Sequence, residues 1–309
     1  MTGQSDDEIE LIAFDQRAVL DEVGGGIRSY TARGRELLDG YPAGERSPSG
    51  RGQVLIPWPN RLEDGSYEFD GQRHQLELNE PENGNAIHGL VRWEPWTVAE
   101  RKGHRVVMEY VLSPQPGYPF ALKLEIEYAL AMDGLTVRTT ATNVGESACP
   151  YGAGFHPYLM VGTETVDSAI LHLPAGTVFG ADERGLPLAA APVEGTEYDF
   201  RRPRPIGSTK LDHAFTDLVR EQNGLARVVL DGPHPGAGLD LWVDEAFSYL
   251  QVFSGDPLPD VNRRSLAVEP MTCPANAFRT GEGLIRLEPA ESLTSAWGIA
   301  PTSSRLGDA

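Results

Sequence analysis

The sequence predicts an all-β protein, one large and mostly antiparallel β-sandwich, and three observations carry that reading. Apolar and polar residues alternate with period two in one run after another. Asp-Gly dipeptides join neighbouring runs. No window of about 15 residues holds the 3.6-residue periodicity of an amphipathic helix. The 34 glycines and 24 prolines fall between the apolar runs, where they punctuate turns instead of marking disorder.

Taken in order, the first strand is expected at Glu8 to Phe14. "SYEFDGQRHQLEL" then folds back on itself around Asp70-Gly71, and Arg105 to Leu112 forms a further strand. In "ALKLEIEYAL", Leu122, Leu124, Ile126, Tyr128 and Leu130 share one face while Lys123, Glu125 and Glu127 share the other, the pattern of a half-buried strand. Asp133-Gly134 supplies the positive φ angles of a tight hairpin into "LTVRTTAT". Later strands are expected at Leu225 to Leu230, Gly238 to Val243, Ser248 to Phe253, Ser265 to Glu269 and Leu284 to Glu288. "GYPAGERSPSGRG" and "GADERGLPLAAAPVEG" read as surface loops, because strand-forming runs of the same character continue on both sides. The expectation is one domain over residues 1–309, with flexible tails at about 1–7 and 302–309.

A net charge of −19 argues against nucleic acid, whose phosphates need concentrated Lys and Arg, and against an anionic membrane surface. "MTGQSDDEIE" is acidic without an apolar core, so it does not read as a signal peptide. The expected compartment is the cytoplasm, with Cys149 and Cys273 as free thiols. No histidine pair has the spacing of a zinc motif, "EVGGGIRSY" lacks the lysine and helix of a phosphate loop, and G-x-S-x-G is missing. Neither a metal nor a cofactor is expected.

Four stretches depart from strand-and-turn wording: Asn60 and Arg61 in "IPWPNRLEDGSYEFDG", His88 in "NGNAIHGLVRWEPW", His156 in "YGAGFHPYLMVG", and Glu269 in "SLAVEPMTCPANAF". Glu269 ends an apolar run. It reads either as a desolvated carboxylate with raised proton affinity, fit to act as a base, or as a strand-end glutamate in water or paired with Arg263 or Arg264. His156, between Phe155 and Tyr158 with Gly152 and Gly154 nearby, is either a proton donor near neutrality or a core histidine satisfied by hydrogen bonds. Local sequence leaves both pairs of readings open.

In order along the chain, "GGGIRSY", "PNRLEDGSYEFDG", "AIHG", "YPFALKLEIEYAL", "GLTVRTTATNVGESACPYGAGFHPYL", "LDHAFTDL", "LQVFSG" and "AVEPMT" resemble the aldose 1-epimerase (galactose mutarotase) family. The resemblance covers most of the chain. It implies a β-supersandwich with an open sugar-binding groove, and a glutamate and a histidine that move protons on and off a sugar hemiacetal. By motif, Glu269 is the base, His156 the acid, and His88 a support on the ring-oxygen side. Asn60, Arg61 and Asp212 hydrogen-bond the sugar hydroxyls. Base and acid are expected on opposite sides of one sugar. The implied partner is a small-molecule sugar, and the protein is a monomer or a homodimer.

"EPMTCPANAF" departs from the Asp-Ala-Pro-Asn-like segment of many members, and "HPYLMVG" lacks an asparagine common in that loop, so the resemblance is to a divergent branch. Three alternatives accompany it. A hexose 6-phosphate would need arginines at one end of the groove, with Arg51, Arg61 and Arg92 as candidates. Glycoside cleavage would use Asp212 and Glu269 as a carboxylate pair. A non-catalytic sugar-binding protein would need neither base nor acid. Trp58, Trp242 and Phe278 are candidate sugar-stacking platforms or core residues.

Overall fold

A computed structural model describes residues 8–302 apart from positions 235 and 260. The tails expected at each end lie outside these residues, save for Thr302. Two large antiparallel sheets dominate. The nine-stranded sheet runs, edge to edge, through Thr97–Lys102, Arg105–Leu112, Leu122–Ala131, Gly134–Asn143, Ser292–Pro301, Leu239–Val243, Ala226–Asp231, Ile170–His172 and Arg204–Pro205. The second follows the path Pro187–Pro192, Ala175–Ala181, Asp212–Leu218, Tyr249–Phe253, Leu266–Met271, Gly154–Phe155 and Val54–Leu55, with Tyr158–Leu159 also paired to Leu266–Met271. A four-stranded sheet begins the described chain, from Ile9–Ala13 to Arg35–Glu36.

The alternation read from Leu122 to Leu130 appears as strict inward burial of Leu122, Leu124, Ile126, Tyr128 and Leu130. The next hairpin closes with Ala131 opposite Gly134, so Met132 and Asp133 form the turn, and of the expected Asp133-Gly134 pair only Gly134 has positive φ (135°). Asp70 (φ 49°) and Gly71 (φ 72°) turn the hairpin that pairs Phe69 with Gln72, as the primed turns require. Within "GADERGLPLAAAPVEG", expected as a surface loop, Pro187–Pro192 is an edge strand against Ala175–Ala181. It is almost wholly exposed, so it has no buried face to impose alternation on its sequence. The cysteines are free and buried.

The second sheet positions the chemistry. Gln251 lies opposite Glu269, Ala214 opposite Gln251, Phe253 opposite Ala267, and Asp212 opposite Phe253. Residues opposite one another, or two apart, share a face, so Asp212, Gln251, Phe253 and Glu269 line one side. Phe215, Leu250, Val252, Leu266 and Val268 face the main core on the other. Glu269 does not end its strand, which continues to Met271 with every residue buried.

Candidate active site

A groove of about 390 Å³ opens over this polar face, lined among others by Asn60, Arg61, His88, His156, Asp212 and Glu269. The structure thus brings together all six sequence-predicted site residues. Gly154–Phe155 and Tyr158–Leu159 both pair with Leu266–Met271, and Pro157 O between them accepts from Val268 N at 3.2 Å, which sets His156 beside the strand that carries Glu269. Its backbone is fixed by hydrogen bonds from Gly52 N to His156 O (2.9 Å) and from His156 N to Gln53 O (3.1 Å). Asn60 and His88 adjoin at the end of the ladder joining Arg61–Glu63 to Asn85–Ile87, where His88 N donates to Asn60 O at 3.0 Å. Both adopt positive φ, 54° and 64°, which aims them off the ladder into the groove.

Glu269 and His156 are 2% and 5% exposed, and His156 Nε2 lies 3.4 Å from Glu269 Oε1. They are neighbours on one wall, not opposed across the groove as expected. A hemiacetal carries its hydroxyl and its ring oxygen on the same carbon, so adjacent groups can serve both. Arg263 is held by Asp167 and Asp256, and Arg264 by Asp39, which removes the ion-paired reading of Glu269. Glu269 Oε2 and His156 Nδ1 have no hydrogen-bond partner among the described residues, so His156 is not a satisfied core histidine. Unsatisfied buried polar atoms concentrate where a protein does chemistry.

Burial raises the Glu269 carboxyl well above the usual range, and the Asp212 charge adds to it against Arg61. Burial pushes the His156 imidazole down to about 3, with Arg51 and Arg92 opposing its protonation further. His88 is held well below its ordinary value by burial, then by His156, Arg92 and Arg61. Both shifts favour the uncharged forms of the pair, a glutamic acid and a neutral imidazole, whose facing atoms stand 3.4 Å apart. Asp212 is exposed at the groove wall. The concave surroundings raise its carboxyl by desolvation, countered by Arg61 and Gln251.

The remaining polar residues are braced. Glu80 takes Arg61 Nε at 2.9 Å and Nη2 at 2.9 Å in a two-pronged contact, a geometry that fixes a guanidinium plane. Gln251 Nε2 donates to Asp212 Oδ1 at 2.7 Å. Asn276, in the divergent "CPANAF" segment, ties the Arg61 strand down through Asn276 N to Arg61 O (2.6 Å) and Glu63 N to Asn276 Oδ1 (3.1 Å). Gln251, Glu80 and Gln53 escaped the sequence reading. The i, i+2 relation of Gln251 to Phe253 on the strand facing Glu269 was the one available signal.

Of the stacking candidates, Trp58 and Phe278 are buried against each other at 5.6 Å, and Trp242 packs on Gly298 in the other sheet. The aromatic walls are Trp93, Tyr158 and Phe253. Among the phosphate candidates, Arg51 is paired with Asp39 and Arg61 with Glu80.

Two large antiparallel sheets, with a buried carboxyl–imidazole pair on the polar face of one, form a β-supersandwich with a candidate proton-transfer site. The chain matches the aldose 1-epimerase family over residues 8–299 and belongs to it. It is 37% identical over 281 residues to the uncharacterized protein YihR of Escherichia coli K12, covering 91% of this chain and 88% of that one. It is 29% identical over 226 residues to galactose mutarotase of Homo sapiens, covering 66% and 62%. The crystal structure of the GalM/aldose epimerase homologue from C. elegans superposes with a TM-score of 0.85 at 17% identity, covering 96% and 99%, a likeness of fold. No helix among the described residues is long and apolar enough to cross a membrane.

Proposed function

We propose that this chain acts as one domain that interconverts the α and β anomers of a free aldose, with Glu269 as base and His156 as acid. The carrying observation is the buried Glu269–His156 pair, 3.4 Å apart on the wall of a polar groove. A sugar whose anomeric hydroxyl donates to Glu269, and whose ring oxygen accepts from His156, favours the ionised pair over the neutral one, so the carboxyl proton moves to the imidazole. Glu269 then takes the proton from O1, the C1–O1 double bond forms, the C1–O5 bond breaks, and His156 gives its proton to O5. Rotation about C1–C2 presents the other carbonyl face, and the reverse transfers close the ring. His88 supports the ring-oxygen side, while Asn60, Arg61 and Asp212 hold the hydroxyls. The steps move protons between oxygens only, the task of a general acid and base.

Polarimetry of freshly dissolved α-D-glucose and α-D-galactose tests this reading with wild type, Glu269→Gln and His156→Gln. Acceleration by wild type that is lost in both variants supports it. Acceleration surviving in both would remove the two residues from the mechanism. A second reading, a hexose 6-phosphate as substrate, is favoured by Arg92: half-buried in the groove, it forms no ion pair among the described residues and lies with Arg46 against Trp93.

A further inference from the structure

His156 lies flat on Tyr158, with ring centroids 4.8 Å apart and planes 15° apart. The His88 ring meets its edge at 5.5 Å. Beneath it Gly50 leaves so little room that a Cβ there would stand 2.8 Å from His156 Cδ2. The Tyr158 shelf is fixed at two points: its hydroxyl donates to Ser49 O at 2.8 Å, and the Arg51 guanidinium covers its ring at 5.3 Å. Neither Arg51 nor Asp39 lines the groove.

Asp39 is 7% exposed and gathers these parts. Its Oδ2 accepts from Arg51 Nη2 (3.2 Å), Arg264 Nη2 (2.9 Å) and Ser265 Oγ (2.8 Å), and its Oδ1 from Arg264 Nη2 (2.7 Å). Its backbone N donates to Tyr158 O at 2.9 Å. Ser265 immediately precedes the strand that carries Glu269. One carboxylate therefore joins the segment holding the acid to the strand holding the base.

We propose that Asp39 is a positioning residue for the proton-transfer pair: by anchoring Arg51 it holds the Tyr158 shelf under His156, and by anchoring Ser265 it fixes the origin of the Glu269 strand. The inference rests on the assignment of Glu269 and His156 in the preceding section. Asp39 touches no substrate and acts through its neighbours. It also counters the Arg51 charge, one of the charges that oppose protonation of His156. The groups facing that imidazole are Glu269, His88, Tyr158, Arg51 and Arg92. Of these, Arg51 is the one Asp39 pairs with.

The test compares Asp39→Asn with Arg51→Met. Asparagine keeps the shape of Asp39 but removes its negative charge from beside Arg51, so both limbs of the kcat/KM–pH profile shift to lower pH. Methionine removes the cation, and both limbs shift to higher pH. Each shift is about half a pH unit, the size of a partly screened charge a few ångströms away. The limbs belong to the coupled pair and not to one residue. In Asp39→Asn, kcat falls about tenfold through misplacement of the acid, while KM stays within about twofold because no groove contact is lost. Shifts in the same direction, or unchanged limbs with kcat tracking the folded fraction, overturn the proposal.

The His156 ring protons supply a readout independent of activity, since the Tyr158 ring displaces their NMR resonances upfield. Asp39→Asn moves them toward unstacked values. Unmoved resonances overturn the positioning role whatever the activity. Moved resonances in a protein that epimerises no aldose uphold it and overturn the epimerase reading instead.

Discussion

His156 Nε2 stands 3.4 Å from Glu269 Oε1, with both side chains almost fully enclosed. That separation is longer than a well-formed charge-assisted hydrogen bond, and it lets the pair exchange its proton without locking it. A sugar able to contact both groups completes the hydrogen bonding that the protein leaves open. With Glu269 as the proposed base and His156 as the proposed acid, Glu269→Gln or His156→Gln is expected to slow mutarotation by about 10²- to 10⁴-fold. Circular dichroism should show both variants folded, because neither side chain anchors the main core.

The same pair sets opposite pH dependences of stability. Glu269 binds its proton more tightly in the folded than in the unfolded chain. Its contribution is complete below the ordinary carboxylate value of 4.5 and is lost as pH rises through the higher folded value. His156, depressed from 6.5 to about 3, contributes fully above 6.5 and loses its contribution as pH falls through about 3. Urea midpoints between pH 4 and 8 are expected to flatten on the alkaline side in Glu269→Gln and on the acid side in His156→Gln. Curves parallel to wild type would mean that neither group titrates differently on folding.

Gly50 offers a probe of the proposed acid that replaces no ionisable side chain. Its φ of 80° and the 2.8 Å approach of His156 Cδ2 to a Cβ position mean that alanine must distort the backbone or push the imidazole away. Gly50→Ala is expected to cost about 1–2 kcal/mol of stability from the left-handed backbone and to lower kcat tenfold or more on the scale of small misplacements, about 10² per ångström. Thermal unfolding and polarimetry separate the two effects.

Glu80 is expected to matter through Arg61 alone. Its two-pronged contact at 2.9 Å orients the guanidinium, and Asn85 Nδ2 steadies its other side at 2.8 Å. Glu80→Gln weakens charge-assisted bonds of about 1.5–3 kcal/mol, freeing Arg61 to swing. The expected result is a rise in KM of about tenfold with kcat little changed, measured by initial-rate polarimetry. A fall in kcat at constant KM would instead place Arg61 in the transition state.

How far the sequence reveals this molecule depends on which face a residue serves. Leu122 to Leu130 was legible because one side of the strand meets water, and the Asp70-Gly71 turn because few residues adopt its backbone angles; Asp133-Gly134 marked the place of a hairpin but not its backbone angles, since only Gly134 has positive φ. Pro187–Pro192 was not, since a strand exposed on both faces needs no alternation. Glu269 looked like a strand end because Pro270 follows it, yet the strand runs on to Met271. The six residues that line the groove were singled out through ordered motifs, whereas Gln251, Glu80 and Asp39 make their contacts with tertiary neighbours 18 to 226 residues away, a relation that local pattern does not record.

Arg92 decides between neutral and phosphorylated sugars. It is half-buried beside the two groove histidines, and burial followed by Arg46 lowers its pKa, so its charge stands unneutralised by any carboxylate partner among the described residues. A phosphate oxygen would suit it. Against that, Glu80 and Asp212 line the same groove, and Arg61 is already bound to Glu80. A dianion would meet this acidic surface within a few ångströms, where repulsion is weakly screened. The balance favours a neutral ring, with Arg92 donating to hydroxyls from over Trp93. Glucose 6-phosphate at equal concentration is therefore expected to slow glucose mutarotation by less than about twofold, against the many-fold competition that two charge-assisted contacts would give. Strong competition that disappears in Arg92→Met would move the substrate class to hexose phosphates, with Arg92 as the residue that selects them.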